Sequence, residues 1–348
     1  MRSFSAGFFD SQMISPALLG AVRAIGEHSG REELYAHRSP EVLETLRAAS
    51  IIASTESSNR LEGVTAPHER IEDLVVRHGH PQNRSEMEIA GYRDVLGTIH
   101  ANWPVMQFSP NLVLQLHRDL FQFSPSDGGR WKVTQNRVTE RFTDGRVRVR
   151  FDPVEPHLVV PAMAALHERF DVEWNAGSTD RLLLIAAYVL DFLCIHPFLD
   201  GNGRTARLIT LLLLYQAGYE VGRYISIEQI VEETRDGYYD ALLRSSEGWH
   251  ESKHSLLPWW EYLLGVAVLT AYRRLDERLG ALTSRRGAKQ QMVVATIGRL
   301  PDTFRHADVS RACPGVSRPT IQRVLRKLRD AGEIELVRAG RDAEWRKT

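Results

Sequence analysis

The sequence predicts a mainly α-helical protein that carries one β-hairpin. Apolar residues recur at helical spacing through most of the chain, and Pro and Gly interrupt them at intervals. In Pro40–Ser58, for example, the apolar side chains fall on one face of a helix. The stretch Gly129–Pro153 departs from this pattern, because Arg146–Phe151 alternates with a period of two behind a turn signal at Asp144-Gly145. We therefore expect a helical bundle with one hairpin.

Further helices are expected from the same periodicity. Capping residues, prolines and glycines set their ends. They are predicted at Glu86–His100, Pro110–Phe121, Pro161–Asn175, Thr179–Ile195, Asn202–Gly218, Ser226–Thr234, Gly237–Glu247 and about Leu256–Leu282.

Composition is that of an ordinary globular protein. The 348 residues exceed the usual size of a single core, so two or three domains are expected. Cys194 and Cys313 are far apart and lack metal-ligand spacing, which argues against a disulfide framework and favours a reducing, cytoplasmic setting. The opening residues lack the apolar stretch of a signal peptide, and the longest apolar runs are too short to span a membrane.

The strongest chemical signal lies in residues 196–207, with the sequence HPFLDGNGRTAR, between two apolar helices. Gly201 and Gly203 permit backbone conformations in which successive N–H groups converge, and a predicted helix begins there. Arg204 and Arg207 lie three apart on its first turn, so both guanidinium groups can bind neighbouring phosphates. The segment therefore predicts a polyphosphate site.

Two further residues suggest chemistry at that phosphate site. Asp200 supplies a hard oxygen ligand for a magnesium ion that bridges two phosphates. His196 can take a proton from an attacking hydroxyl, and such help typically gives about 10²- to 10⁴-fold in rate. Each residue alone is also typical of an ordinary loop before a helix. Their combination in one segment favours a catalytic interpretation.

Residues 196–207 resemble the signature of the Fic family, HPFx(D/E)GNGRxxR, at every defined position, and the resemblance extends over roughly residues 50–262. It implies a helical fold and the transfer of AMP from ATP to a Tyr, Thr or Ser hydroxyl of a protein, self-modification included. By position, His196 would be the base and Asp200 the Mg²⁺ ligand. Gly201, Asn202 and Gly203 would form an anion hole. Asn202 and Arg204 would bind phosphates, and Arg207 would bind the γ-phosphate.

Outside that loop, the hairpin segment 129–153 resembles the family's flap, whose edge lines up the backbone of a protein target by strand addition. The quoted matches are Gly129–Val133 and Phe151–Pro153. Tyr239 resembles a residue that lines the adenine pocket. Trp259 also matches, although core packing is the favoured interpretation there. The resemblance leaves the target protein unidentified.

The segment Ser58–Gly63 resembles the family's inhibitory motif, (S/T)xxxE(G/N). Ser58 and Glu62 are four apart and share a helix face. The resemblance implies that Glu62 pairs with Arg207 and occupies the guanidinium that would bind the γ-phosphate, so the enzyme would be mostly inactive. The alternative is a solvated glutamate at a helix end followed by Gly63. In some family members the same glutamate helps water to remove AMP, so removal of AMP stays open.

The C-terminal tail is the basic part of the chain. Residues 285–348 hold 15 Lys and Arg against 7 Asp and Glu, whereas the whole chain has zero formal net charge. Three predicted helices, a strand from Gly332 and a wing tip at Gly340-Arg341 indicate a winged helix-turn-helix. Residues 317–341 would then contact DNA, with dimerisation as an equal alternative. The three helices are Gln290–Leu300, His306–Ala312 and Ser317–Ala331.

These signals divide the chain into three parts. They are an N-terminal helical region with the inhibitory motif at 1–110, a catalytic core with the following helix at 111–284, and a winged-helix domain at 285–348. The expected function is protein AMP transfer, with ATP as substrate and Mg²⁺ as cofactor. Two alternatives stay open: a transcriptional regulator whose core only senses a nucleotide, and transfer of UMP or GMP.

Overall fold

The computed structural model describes residues 2–38, 40–126, 128–141, 147–284, 288–313, 316–338, 340 and 343–348. The protein is mainly helical, as predicted. It divides into two compact units, one comprising Met1–Glu32 with Glu44–Arg274 and the other Glu33–Leu43 with Leu275–Thr348. The three-part division proposed from sequence stays a prediction.

The helices and strands of the described residues follow one another in the order expected for a helical bundle with one inserted hairpin. A π-helical stretch, Glu261–Val268, joins α11 to α12. The α-helices are α1 (Pro16–Arg38), α2 (Pro40–Leu61), α3 (His68–Val76), α4 (Arg84–Asn102), α5 (Pro110–Leu120), α6 (Pro156–Ala176), α7 (Arg181–Ile195), α8 (Asn202–Gln216), α9 (Ile227–Glu233), α10 (Arg235–Ser246), α11 (Leu257–Trp260), α12 (Leu269–Ser284), α13 (Ala288–Arg299), α14 (His306–Ala312) and α15 (Arg318–Asp330). The strands are β1 (Val138–Arg141), β2 (Val147–Phe151), β3 (Thr303–Arg305), β4 (Ile334–Arg338) and β5 (Glu344–Lys347).

Helices α7 and α8 form the centre of the first unit. Nearly every residue of both helices is buried, as their almost continuous apolar sequences require, because a helix that is apolar all round must lie in a core. Helix α7 ends at Ile195 and α8 begins at Asn202. The loop between the two central helices is therefore the segment that carries the phosphate and base signals.

Some predicted boundaries are wrong, and two helices, α1 and α3, were not predicted. Helix α6 begins at Pro156 instead of Pro161, because Pro156 occupies the first turn, where a proline costs nothing, and Pro161 lies inside the helix. The predicted single helix after Leu256 is divided by the π-helical stretch. π-helical stretches are rare, and an apolar stretch of sequence carries no separate signal for them, so the sequence does not reveal this one.

The predicted hairpin is present. Strands β1 and β2 pair antiparallel, with Val138 opposite Phe151 and a register shift beside that pair. The predicted turn at Asp144-Gly145, together with Arg146, lies outside the described residues. Residues 129–133, which resemble the start of the flap, precede β1 without forming a strand and hydrogen-bond to the loop after α7 instead.

The second unit contains the three predicted tail helices, as α13, α14 and α15, and an antiparallel sheet in the order β3-β5-β4. Helix α15 buries Ile321, Val324, Leu325 and Leu328, which is the predicted apolar stripe. Its other face is exposed. Arg341 of the predicted wing tip lies outside the described residues, and the winged-helix assignment stays a prediction.

Within the part of the chain that the structure describes, every helix is too short or too polar to cross a lipid bilayer.

Candidate active site

His196 caps the C-terminus of α7 in the left-handed conformation, with φ of 51°. Its backbone N–H donates to the Phe192 carbonyl at 2.9 Å. Its Nδ1 lies 3.2 Å from the Leu193 carbonyl oxygen, which can only accept, so Nδ1 carries the proton and Nε2 keeps its lone pair. Burial lowers the pKa of His196 to about 4. The imidazole is therefore neutral at pH 7 and able to accept a proton.

The loop after His196 is fastened by a side chain at its far end. The Oδ1 of Asn202 accepts from the Phe198 N–H at 2.9 Å, and its Nδ2 donates to the Phe198 carbonyl at 2.8 Å. Asn202 is buried. The residue predicted to hold phosphate thus also fixes the loop conformation through hydrogen bonds within the loop.

Asp200 and the start of α8 form the anion-binding side of the loop. Gly201 caps α8 with φ of 76°, a conformation that glycine adopts without strain. Its N–H donates to Asp200 Oδ1 at 2.6 Å. The Asp200 side chain is 62% exposed, and the first N–H groups of a helix have no partner within it. Helix-start donors and a largely exposed carboxylate therefore belong to the same short segment.

Arg204 is almost completely buried beneath that site. Its Nη1 donates to Glu88 Oε2 at 2.6 Å and lies 3.3 Å from Asn59 Oδ1, and its guanidinium stacks over Phe121 at 5.3 Å. Its Nε is buried without a hydrogen-bond partner among the described residues. An unsatisfied buried donor is costly, so this nitrogen favours an additional acceptor in the functional state.

Arg207 meets the predicted inhibitory motif. Its Nε donates to the Ser58 hydroxyl at 2.8 Å, and its Nη2 donates to the Ser58 carbonyl at 2.9 Å and to Glu62 Oε1 at 2.7 Å. Burial acts against its charge, but the Glu62 carboxylate raises the pKa of Arg207 overall. Ser58 and Glu62 therefore occupy three donor positions of the guanidinium that was expected to bind a γ-phosphate.

Glu62 also lies against the first turn of α8. A β-carbon on Gly203 would stand only 2.2 Å from Glu62 Oε1, so the glycine permits the close approach. A carboxylate in that position is favoured by the positive end of the helix dipole. Gly63, with φ of 77°, turns the chain directly after it. The carboxylate thus fills part of the predicted anion site.

The two aromatic residues singled out from sequence have different environments. Trp259 is buried, and its Nε1–H donates to the Ala186 carbonyl at 2.8 Å, which agrees with core packing. Tyr239 is 36% exposed. Burial raises the pKa of Tyr239, and the Glu62 carboxylate raises it further, so its ring lies near the Glu62–Arg207 pair. Its adenine-pocket role stays a prediction.

Sequence reasoning missed several residues of this site. Glu88, which pairs with Arg204, lies on α4 more than a hundred residues earlier, with no local motif to mark it. His117 on α5 and Asn136 in the flap segment both hydrogen-bond to the loop backbone. A histidine on a helix and an asparagine before a strand are each too common to be recognised from sequence alone.

Comparisons with known proteins agree with this geometry. Residues 107–214 match the Fic/DOC family. The chain contains a Fic domain. The domain takes in the hairpin segment, His196 and both arginines, whereas Glu62 of the predicted inhibitory motif and the C-terminal unit lie outside the matched residues.

Named relatives resemble the Fic domain over a limited stretch. Protein adenylyltransferase Fic of Drosophila grimshawi is 32% identical over 142 residues, which is 39% of this chain and 25% of that protein. Protein adenylyltransferase fic-1 of Caenorhabditis elegans is 31% identical over 135 residues, 37% of this chain and 22% of that protein. The matched stretch thus spans about a quarter of those relatives.

A solved structure shares the fold over most of the chain. It is that of a Fic family protein from Desulfovibrio desulfuricans G20, with a TM-score of 0.62 and 21% identity over 97% of each chain. This similarity supports a Fic fold and carries no statement about activity.

Proposed function

We propose that this protein transfers AMP from ATP to a Tyr, Thr or Ser hydroxyl of a protein, its own chain included. The observation that carries the proposal is the neutral His196, whose unprotonated Nε2 belongs to the same short loop as the anion-binding start of α8. The adenylyltransferase names of the relatives point to the same reaction.

The proposed reaction is a single displacement at phosphorus. His196 Nε2 accepts the proton of the target hydroxyl, and that oxygen forms a bond to the α-phosphorus of ATP. The bond from the α-phosphorus to the oxygen that bridges it to the β-phosphate breaks, and pyrophosphate leaves. The N–H groups of Asn202 and Gly203, with Arg204 and Arg207, stabilise the negative charge on the phosphates. These residues need only position the phosphate groups and neutralise their charge.

The residues also fit a magnesium ion, which we propose as the cofactor. Mg²⁺ usually binds one or two carboxylates together with substrate phosphates and several waters. The exposed carboxylate of Asp200 meets that requirement. Within the described residues no group of three or more His, Cys, Asp or Glu side chains forms a complete metal cage. Asp200 would hold the ion, and the ion would neutralise phosphate charge.

We further propose that Glu62 keeps the enzyme mostly inactive. Its carboxylate binds Arg207 and approaches Gly203, so it competes for the place of the γ-phosphate. ATP bound beside it would take a pose unsuited to in-line attack. The proposal includes a second role for Glu62, which is to help water remove AMP from a modified protein.

The test is incorporation of label from α-labelled ATP with Mg²⁺ present. We would compare the parent protein, Glu62→Gly, Glu62→Gly with His196→Ala, and the control Glu69→Gly, which removes an exposed glutamate of α3. Label is expected in Glu62→Gly alone. Equal labelling of parent and Glu62→Gly would exclude the inhibitory role. If no variant is labelled from ATP but Glu62→Gly is labelled from UTP or GTP, the transferred group is UMP or GMP instead of AMP.

A second proposed function is DNA binding by the tail. Its support is the exposed face of α15, which carries Arg318, Gln322, Arg323, Arg326, Lys327 and Arg329. Binding to a duplex should weaken steeply with salt and should be lost in Arg323→Glu with Arg326→Glu. If the parent protein does not bind the duplex, and the double variant differs from the parent in oligomeric state, the tail is a dimerisation module.

A further inference from the structure

Backbone carbonyls of the loop between α7 and α8 accept hydrogen bonds from residues outside it. The Lys132 N–H donates to the Pro197 carbonyl at 2.8 Å. The Nδ2 of Asn136 donates to the Phe198 carbonyl at 2.8 Å. The Nε2 of His117 lies 3.0 Å from the Asp200 carbonyl. The loop is therefore held by the flap segment and by α5.

The protonation state of His117 follows from its two contacts. The Gly129 N–H donates to Nδ1 at 2.9 Å, so Nδ1 carries a lone pair. The proton of the neutral ring must then lie on Nε2, where it is donated to the Asp200 carbonyl. The ring stacks on Phe198 at 3.6 Å between centroids. His117 thus connects the start of the flap segment to the loop with one donor and one acceptor.

Lys132 fixes the orientation of the Asn136 amide in a similar way. Its ammonium is 2.8 Å from Asn136 Oδ1, and an ammonium group can only donate. The amide must therefore present its oxygen to Lys132 and its Nδ2 to the loop. Nδ2 reaches the Phe198 carbonyl and lies 3.4 Å from the Leu199 carbonyl. Lys132 is itself buried, so this orientation is protected from water.

The direction of these carbonyls determines the direction of the amides. In a trans peptide the C=O and N–H groups point to opposite sides. Because the Asp200 carbonyl points to His117, the N–H of Gly201 must point away from it, and it does so towards the Asp200 carboxylate. We propose that His117 and Asn136 are positioning residues, which hold the loop carbonyls and thereby keep the Asp200 carboxylate and the start of α8 in place at the phosphate site.

This inference rests on the proposed function, and the first test uses the Glu62→Gly background. Asn136→Asp keeps an acceptor for Lys132 but removes the donor to Phe198. Asn102→Asp is the matched control, because it makes the same change at an exposed residue of α4 whose Nδ2 donates to the Thr98 carbonyl. Asn136→Asp should lower kcat about 10²-fold, the loss expected for a misplacement of about 1 Å, and leave the Tm near that of the control. Equal kcat in both variants would overturn the role of Asn136.

A pair of substitutions separates the two bonds of His117. In the same background, His117→Gln retains a donor at the Nε2 position, and His117→Asn retains an acceptor at the Nδ1 position. Loss of kcat in His117→Asn with recovery in His117→Gln supports the positioning role. Equal losses that follow the Tm of each variant would overturn it, since they would indicate only a packing role.

A third measurement does not depend on catalysis. Nitrogen NMR of ¹⁵N-histidine-labelled parent protein distinguishes the two neutral tautomers, and His117→Gln assigns the signal. The Nε2–H tautomer at His117 is expected, and the Nδ1–H tautomer would overturn the inference. If this tautomer is found but no variant transfers AMP, the proposed reaction has failed while the loop geometry stands.

Discussion

The hydroxyl of Ser54 on α2 donates to the carboxylate of Glu228 on α9 at 2.8 Å, and both groups are buried. Tyr92 donates to the other oxygen of Glu228 at 3.0 Å. The last turns of α2 are buried through polar side chains, and these are Ser50, Ser54, Thr55, Ser57, Ser58 and Asn59. Helix α2, which ends directly before Glu62, is thus held in part by buried hydrogen bonds.

Removal of the Ser54 hydroxyl should loosen that docking. A hydrogen bond to a charged group contributes about 1.5–3 kcal/mol, and 1.4 kcal/mol corresponds to about tenfold in an equilibrium. Ser54→Ala should therefore raise AMP incorporation about tenfold in the parent and leave it unchanged in the Glu62→Gly background. Ser109→Ala, which removes the N-cap of α5, is the control. An equal increase in both backgrounds would contradict a role through Glu62.

Loss of Glu88 should destabilise the protein strongly. Arg204 would then remain as a buried cation without its carboxylate, at a cost of about 3–5 kcal/mol. Arg84 binds the same carboxylate from an exposed position, and Arg84→Ala should cost at most about 1 kcal/mol. Denaturant unfolding of Glu88→Ala and Arg84→Ala would measure both. Similar losses in the two variants would show that Arg204 does not depend on Glu88.

Two glycines of α4 should respond in opposite ways to alanine. A β-carbon on Gly91 would lie 2.0 Å from the Leu120 carbonyl oxygen, whereas one on Gly97 would meet nothing within 4 Å. Gly91→Ala should cost at least about 1–3 kcal/mol, because α4 and α5 must separate. Gly97→Ala should stabilise by up to about 1 kcal/mol through helix propensity. Melting temperatures that move in the same direction would refute the close approach of the two helices.

Stability should fall as the pH drops from about 6.5 to about 4. Burial lowers the pKa of His100 to about 3 and the pKa values of His167 and His254 to about 4, from 6.5. Between these values the unfolded chain binds protons that the folded chain refuses, so stability is full above pH 6.5 and is lost below it. Within this range each of these histidines lowers the free energy of unfolding by roughly 1.4 kcal/mol for each unit by which the pH falls.

Melting temperatures across this pH range test that expectation. His254→Gln keeps an amide near the Ser3 hydroxyl, which lies 2.9 Å from Nε2 in the parent, and removes one titrating group. Its melting temperature should depend less steeply on pH than that of the parent. The same slope in both proteins would contradict a neutral His254 in the folded state.

Much of the architecture follows from the sequence because its signals are local. Helical periodicity identifies α4, α5, α7 and α8, and a period of two identifies the hairpin, since each pattern repeats within a few residues. The start of α6 was misplaced because Pro156 and Pro161 both suit a first turn, and only packing decides between them.

The candidate site divides in the same way. Residues 196–207 by themselves bring the candidate base, the candidate metal ligand and the candidate anion site close together, because neighbours on a loop and a first helical turn cannot be far apart. The pairing of Glu62 with Arg207, which the family resemblance implied, is present in the structure. Only the tertiary structure decided that Glu88 is paired with Arg204 and that the loop carbonyls are held by His117 and Asn136. These partners are separated by tens of residues or more, and no local pattern encodes a contact made by folding.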